Sequence, residues 1–177
     1  MLTLDQIYHA AYVLKPVIRK TDLIAAPDLN HDSEISLKTE NLQVTGSFKV
    51  RGAYYKISLL TKEEQAKGII ACSAGNHAQG VALAAQRSGI ESLICMPDGA
   101  PISKVEATKS YGAQVKLVKG AYDDAYEEAC RLQKEKEMCI RDSRFGHQQS
   151  GYFPYHHCGA GGRAGDLADH PSDGETD

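Results

Sequence analysis

The sequence has little of what would tie a chain to nucleic acid, to a membrane or to an oxidising compartment. Its formal net charge is −3 over 177 residues, so electrostatics point neither to nucleic acid nor to an anionic lipid surface. The longest apolar runs fall far short of a membrane span, and Asp5 and His9 interrupt any signal-peptide pattern at the start. A soluble, cytoplasmic protein is the expectation. Five cysteines (Cys72, Cys95, Cys130, Cys139 and Cys158) make an odd number without a C-x-x-C pair, which argues against a disulfide framework and a zinc ribbon. Cys72 and Cys95 lie in apolar runs and read as core thiols.

What the chain does have is a regular strand-helix rhythm. Thr3-Leu4-Asp5-Gln6 reads as a capping box, and Leu4, Ile7, Ala11 and Leu14 follow on one helical face until Pro16 ends the pattern. Residues 21–33 carry Pro27, Asn30 and Asp32 and read as irregular chain with at most one helical turn. Residues 35–39 alternate apolar and polar as a strand does, and Ala53, Ile57 and Leu60 then recur at helical spacing.

From Lys67 onward three strand-helix units are predicted. Residues 68–72 form a continuously apolar run, as in a strand buried on both faces of a parallel sheet. A helix over 77–87 stops at Ser88-Gly89; a strand at 92–96 precedes a helix from Pro101 to Tyr111; a strand at 114–118 precedes a helix over 122–136. Short links between alternating elements predict an α/β fold, a parallel twisted sheet with flanking helices and right-handed crossovers.

Two stretches carry candidate chemistry. In Thr45-Gly46-Ser47-Phe48-Lys49-Val50-Arg51-Gly52, Lys49 stands where a strand gives way to a helix, with Ser47 or Thr45 to cap the first turn. An amine at a helix start, beside Phe48 and close in sequence to Arg51, is placed for covalent chemistry with carbonyl compounds. In Ser73-Ala74-Gly75-Asn76-His77-Ala78-Gln79-Gly80 a strand opens into a helix N-terminus, whose N–H groups favour an anion. Taken singly, a first-turn lysine is usually solvated and a Gly-Asn turn is an ordinary link. Their conjunction is what carries information.

Together, Ser47–Ala53 and Ser73–Gly80 resemble the paired signature of the threonine dehydratase (threonine ammonia-lyase) family, fold-type II pyridoxal-phosphate enzymes similar to the tryptophan synthase β subunit. The resemblance runs from about Leu4 to about Glu137. It implies that Lys49 holds pyridoxal 5'-phosphate and exchanges protons at the substrate α-carbon, with Phe48 and Asn76 also at the cofactor. Ser73, Gly75, Asn76 and His77 are then expected to hold the amino-acid carboxylate, largely through backbone amides, and the Asn76 side chain to face the ring and its 3-oxygen. Related racemases carry a second hydroxyl residue after the loop's first serine; here that residue is Ala74, which favours deamination of threonine and serine. The parent enzyme is expected to be a homo-oligomer acting on a small amino acid. A serine racemase-like enzyme, and a non-catalytic α/β module that binds another anion at Gly75-Asn76, stand as alternatives.

The resemblance also implies incompleteness. Residues 1–57 correspond to the first part of the larger, cofactor-binding domain, and 58–137 to a smaller α/β domain lacking its last strand. The glycine-rich phosphate loop and the partner of the pyridine nitrogen match no stretch of the chain. From Met138 to Asp177 only Ile140 and Leu167 represent Leu, Ile and Val, against seven glycines and four of the seven histidines. Such a composition buries too little apolar surface to offset its ordering entropy. Residues 138–143 further resemble a translated sequencing adapter, so 138–177 is read as unstructured and as a frameshift or assembly error, with a genuine divergent tail as the alternative. Within it Gly159–Ala164 has G-x-G-x-x-A spacing without a preceding strand, and His156, His157 and Cys158 lack a second ligand pair for a metal.

Overall fold

A computed structural model of the chain describes residues 2–142, the last three as backbone only. The first helix, α1 (Leu4–Leu14), begins at the expected capping box, in which Thr3 Oγ1 accepts from the Gln6 N–H and the Gln6 side chain accepts from the Thr3 N–H. Its apolar residues stay largely outside the core; only Leu14 is buried. Residues 21–33, expected to be irregular, instead supply β1 (Leu23–Ala25), which pairs antiparallel with β2 (Ser36–Lys38). Each strand has three exposed residues, so neither shows the alternation of a half-buried strand.

Helix α2 (Lys49–Ser58) is followed by a short helix α3 (Lys62–Ala66), itself opened by a second capping box between Thr61 and Glu64. The repeating units then appear as β3 (Ile69–Cys72), α4 (Asn76–Arg87), β4 (Ser92–Pro97), α5 (Ile102–Ser110), β5 (Gln114–Val118) and α6 (Tyr122–Lys136). A last strand, β6 (Cys139–Asp142), pairs parallel with β3. The sheet order is β5-β4-β3-β6, all parallel.

Strand β6 corrects the expectation that the sheet lacks a further strand and that unstructured chain begins at Met138. Met138 and Cys139 are buried, and the Cys139 N–H donates to Gly68 O at 3.0 Å. The composition of the tail hid this: an unpaired edge of β3 is a template for any short extended segment that follows α6. The histidine, cysteine and glycine patterns of residues 156–164 lie outside the described residues.

Strand β3 is buried throughout and divides its side chains between two cores, as the period of two requires. Ile69 and Ala71 join Ile94 and Met96 of β4 beneath α2, α4 and α5. Ile70 and Cys72 join Leu93 and Cys95 beneath Ala125, Ala129 and Leu132 of α6. Ile57, Ile69, Ile70 and Ile94 are fully buried, each contributing about 1.5–3 kcal/mol of transfer free energy. The expectation of core thiols holds for Cys72 and Cys95: burial pushes the Cys95 thiol up to about 11, so it stays protonated.

Candidate functional site

The segment that delivers Lys49 is held by side chains acting as backbone. Gln43 is buried; its Oε1 accepts from the N–H of Arg19 at 2.7 Å and of Val44 at 3.1 Å, and its Nε2 donates to Arg19 O at 2.8 Å. The chain then turns at Gly46, where φ is +68°, a left-handed conformation that glycine adopts without steric cost. Ser47 and Thr45 are both buried; Phe48 rather than either of them occupies the N-cap position and makes no side-chain cap bond, while Ser47 Oγ, one residue earlier, accepts from the Lys49 N–H at 3.4 Å. Tyr111 at the end of α5 reaches across and donates its hydroxyl to Val44 O at 3.2 Å.

Lys49 is thus the first residue of α2 and half-buried. Its Nζ lies 4.9 Å from the centroid of the Phe48 ring. Phe48 is 57% exposed, an aromatic left at the surface beside a lysine that starts a helix.

The second motif reaches the first through Gly80. A Cβ on Gly80 would lie 3.0 Å from the Lys49 carbonyl carbon and 3.1 Å from both Lys49 O and Val50 N. Only a residue without a side chain lets α4 approach the backbone of α2 so closely. The neighbours on α4 are small as well: Ala78, Ala82, Ala84 and Ala85 are fully buried and share a core cluster with Ala53 and Ile57 of α2 and with the sheet. Asn76 stands four residues before Gly80, so it lies on the same face of α4, one turn of about 5.4 Å nearer the helix start. The fold therefore brings the two motifs together at the N-termini of α2 and α4.

The loop that opens α4 is partly closed on itself. The Ser73 N–H continues the sheet by donating to Cys95 O at 3.1 Å, and the Gly75 N–H turns back onto Ser73 Oγ at 3.3 Å. Of the expected carboxylate-binding amides, those of Ser73 and Gly75 are thus engaged within the protein. Asn76 and His77 open α4, where first-turn N–H groups point out along the axis, and Ser73 keeps its own hydroxyl proton to donate. The Asn76 side chain is exposed, and its Oδ1 accepts from Lys104 Nζ of α5 at 2.6 Å. Ala74 is half-buried and packs on the core beneath α4.

Arg51 does not act where its place in the sequence suggests. Its Nε donates to Glu40 Oε2 at 2.9 Å and its Nη2 to Glu40 Oε1 at 2.7 Å, while the Thr21 hydroxyl donates to the same Oε1 at 2.6 Å. The Arg51 guanidinium holds the Glu40 carboxyl down at about 2 against the opposing effect of burial, with Thr21 assisting. Its charge is committed to fastening the 3-10 turn Glu40–Leu42 to α2. Sequence reasoning gave Glu40, Gln43, Tyr111 and Lys104 no part in the site. Glu40 alone left a trace, an acidic residue ahead of a basic one, and that pattern is too common to single it out. Among the described residues no group of three His, Cys, Asp or Glu side chains could hold a metal.

Comparison with known proteins converges on one family. Residues 14–160 match the family described as pyridoxal-phosphate dependent enzyme. The chain is 52% identical over 137 residues to the L-threonine ammonia-lyase of Thermotoga maritima, covering 76% of this chain and 34% of that protein. It is 47% identical over 143 residues to the catabolic L-threonine dehydratase TdcB of Staphylococcus aureus strain N315, covering 79% of this chain and 41% of that protein. Among solved structures it resembles a threonine deaminase from T.th. (TM-score 0.70, 36% identity, 80% of this chain and 45% of that one). It also resembles maize serine racemase (TM-score 0.72, 32% identity, 77% of this chain and 42% of that one). The chain thus spans about a third to just under half the length of these relatives. With the lysine and Gly-Asn motifs joined as the fold requires, and with a family match over most of its length, the chain belongs to the pyridoxal-phosphate-dependent enzymes.

Proposed function

We propose that this chain supplies the cofactor lysine and the carboxylate-binding loop of an enzyme that deaminates L-threonine, and less efficiently L-serine, to the 2-oxo acid and ammonia. The close approach of Gly80 to the Lys49–Val50 peptide carries the reading, because it sets the loop helix against the start of the lysine helix. The relatives named for threonine support the substrate class.

The donor set fits pyridoxal phosphate: a primary amine half-buried at a helix start, an exposed aromatic beside it, and an amide one turn from the helix contact. When bound, the cofactor supplies an aldehyde for amines and an electron sink for the pair left on a substrate α-carbon that has lost its proton. Lys49 Nζ would hold it, and the same amine would take the substrate's α-proton from one face. Asn76 and His77 at the start of α4, with the Ser73 hydroxyl, receive the substrate carboxylate. Phe48 and the Asn76 side chain border the ring. The substrate's β-hydroxyl would leave as water with the proton that Lys49 has taken, and hydrolysis of the resulting enamine would give the 2-oxo acid and ammonia.

In this reading residues 1–57 open the cofactor domain and 58–137 form the body of the smaller one. No stretch of the chain resembles the family's phosphate loop or its pyridine-nitrogen partner, and the reading accordingly expects no turnover from residues 1–177 alone. The parent is a cytoplasmic homo-oligomer by resemblance; no described helix is long and apolar enough to cross a membrane.

Racemisation is the second reading, favoured by the likeness to maize serine racemase. Ala74 weighs against it, because a methyl cannot deliver a proton to the face opposite Lys49. The test is incubation of the chain, extended to the length of its relatives, with L-threonine and pyridoxal phosphate. Accumulating 2-oxobutanoate supports deamination, and its absence with D-amino acid present contradicts it.

A further inference from the structure

We infer that Lys104 is a positioning residue that fixes which way the Asn76 amide faces. The inference rests on the proposed role of Asn76 beside the cofactor ring and goes beyond it.

Lys104 Nζ donates to Asn76 Oδ1 at 2.6 Å across 28 residues of sequence. An ammonium has three donors and no acceptor, so the amide arm that meets it must be the oxygen. The amide is planar, and its NH2 arm is thereby turned away from α5. Helix α4 shares its core cluster with Ala53 and Ile57 of α2 as well as with Val105 of α5. Gly80, on the same face as Asn76, touches the Lys49–Val50 peptide. Turning away from α5 leaves the two N–H donors for an acceptor on another side of Asn76, and in the proposed function that acceptor lies on the side where Lys49 begins α2, the side that Gly80 marks. Donors there suit an acceptor oxygen on a ring carried by Lys49; the opposite orientation would set oxygen against oxygen.

Lys104 is itself held in place. Val105 beside it is buried in the core, and the Lys104 carbonyl accepts from the Thr108 hydroxyl at 2.8 Å, with Thr108 fully buried. It also stands in the first turn of α5, the positive end of the helix, where a cation opposes the helix polarity. Helix stability does not explain a lysine there, and the bond to Asn76 gives it a function.

The test reads the Asn76 side-chain NH2 signals by 15N-1H correlation NMR, in the 177-residue chain without pyridoxal phosphate and in the chain extended to the length of its relatives with it. Lys104→Met should move those signals and leave the backbone amides of α4 in place, and Lys104→Arg should restore them. Unmoved NH2 signals in Lys104→Met would overturn the inference. With pyridoxal phosphate added, the unsubstituted chain should show a saturable shift of the same signals, with the dissociation constant raised about tenfold in Lys104→Met, as loss of one oriented hydrogen bond gives. A tenfold change supports the inference, and equal affinity in the two proteins overturns it. No shift in the unsubstituted chain contradicts the placement of Asn76 beside the ring, while the cofactor-free comparison still decides the role of Lys104.

Discussion

Gly80 of α4 and Lys49 of α2 meet backbone to backbone, at a separation that a single methyl group would close to 3.0 Å from the Lys49 carbonyl carbon. The obstruction is main chain and cannot rotate aside. Gly80→Ala is therefore expected to push α4 away from α2 and to cost about 1–3 kcal/mol, the usual penalty of overpacking a tight contact. Urea denaturation of the chain measures it. A variant as stable as the parent would show that the two helices have room to spare.

The pair between Glu40 and Arg51 gives a pH dependence of definite sign. The folded carboxyl titrates at about 2 against an ordinary 4.5, so the pair's contribution is complete above 4.5 and is lost as pH falls toward 2. Both partners are partly exposed, which limits the contribution to about 1 kcal/mol. Glu40→Gln should lower stability by that amount at neutral pH and flatten the acid limb of the stability profile. An unchanged acid limb in the variant would remove Glu40 from the account.

Ala74→Ser places a hydroxyl where the proposed mechanism has none. In the chain extended to the length of its relatives, the substitution should raise D-serine formation from L-serine only modestly, since a hydroxyl without a supporting network is a poor proton donor. Chiral chromatography of the products reads it. Abundant D-serine from the unsubstituted protein would mean that another residue serves the second face.

Strand β6 should be visible in exchange. The amides of Cys139 and its successors pair with β3, whereas unpaired chain exchanges almost without protection. Amide exchange followed by NMR should show residues 139–142 protected, and ending the chain at Glu137 should destabilise it by uncovering the edge of β3. Unprotected amides at 139–142 would return that segment to the tail.

Much of this was legible where a local rule decides the structure. The capping box at Thr3, the doubly buried run at 69–72 and the helix that starts at Lys49 all follow from patterns spanning a few residues. Strand β1 was not, because three exposed residues carry no alternation, and β6 was not, because its strand character comes from the open edge of β3. The site divides the same way. Lys49 and Asn76 stand in recognisable motifs, but the bonds from Arg51 to Glu40 and from Lys104 to Asn76 join residues 11 and 28 apart, and nothing local announces them. The reason for a glycine at position 80 became clear only when α2 lay against it.

The central claim is that Lys49 is the lysine that holds the cofactor. Loading the chain, extended to the length of its relatives, with pyridoxal phosphate, reducing with borohydride and mapping the labelled peptide tests it directly. The account predicts a single label on Lys49, lost in Lys49→Ala together with the visible absorbance. A label on Lys104, or on any lysine other than Lys49, would contradict it.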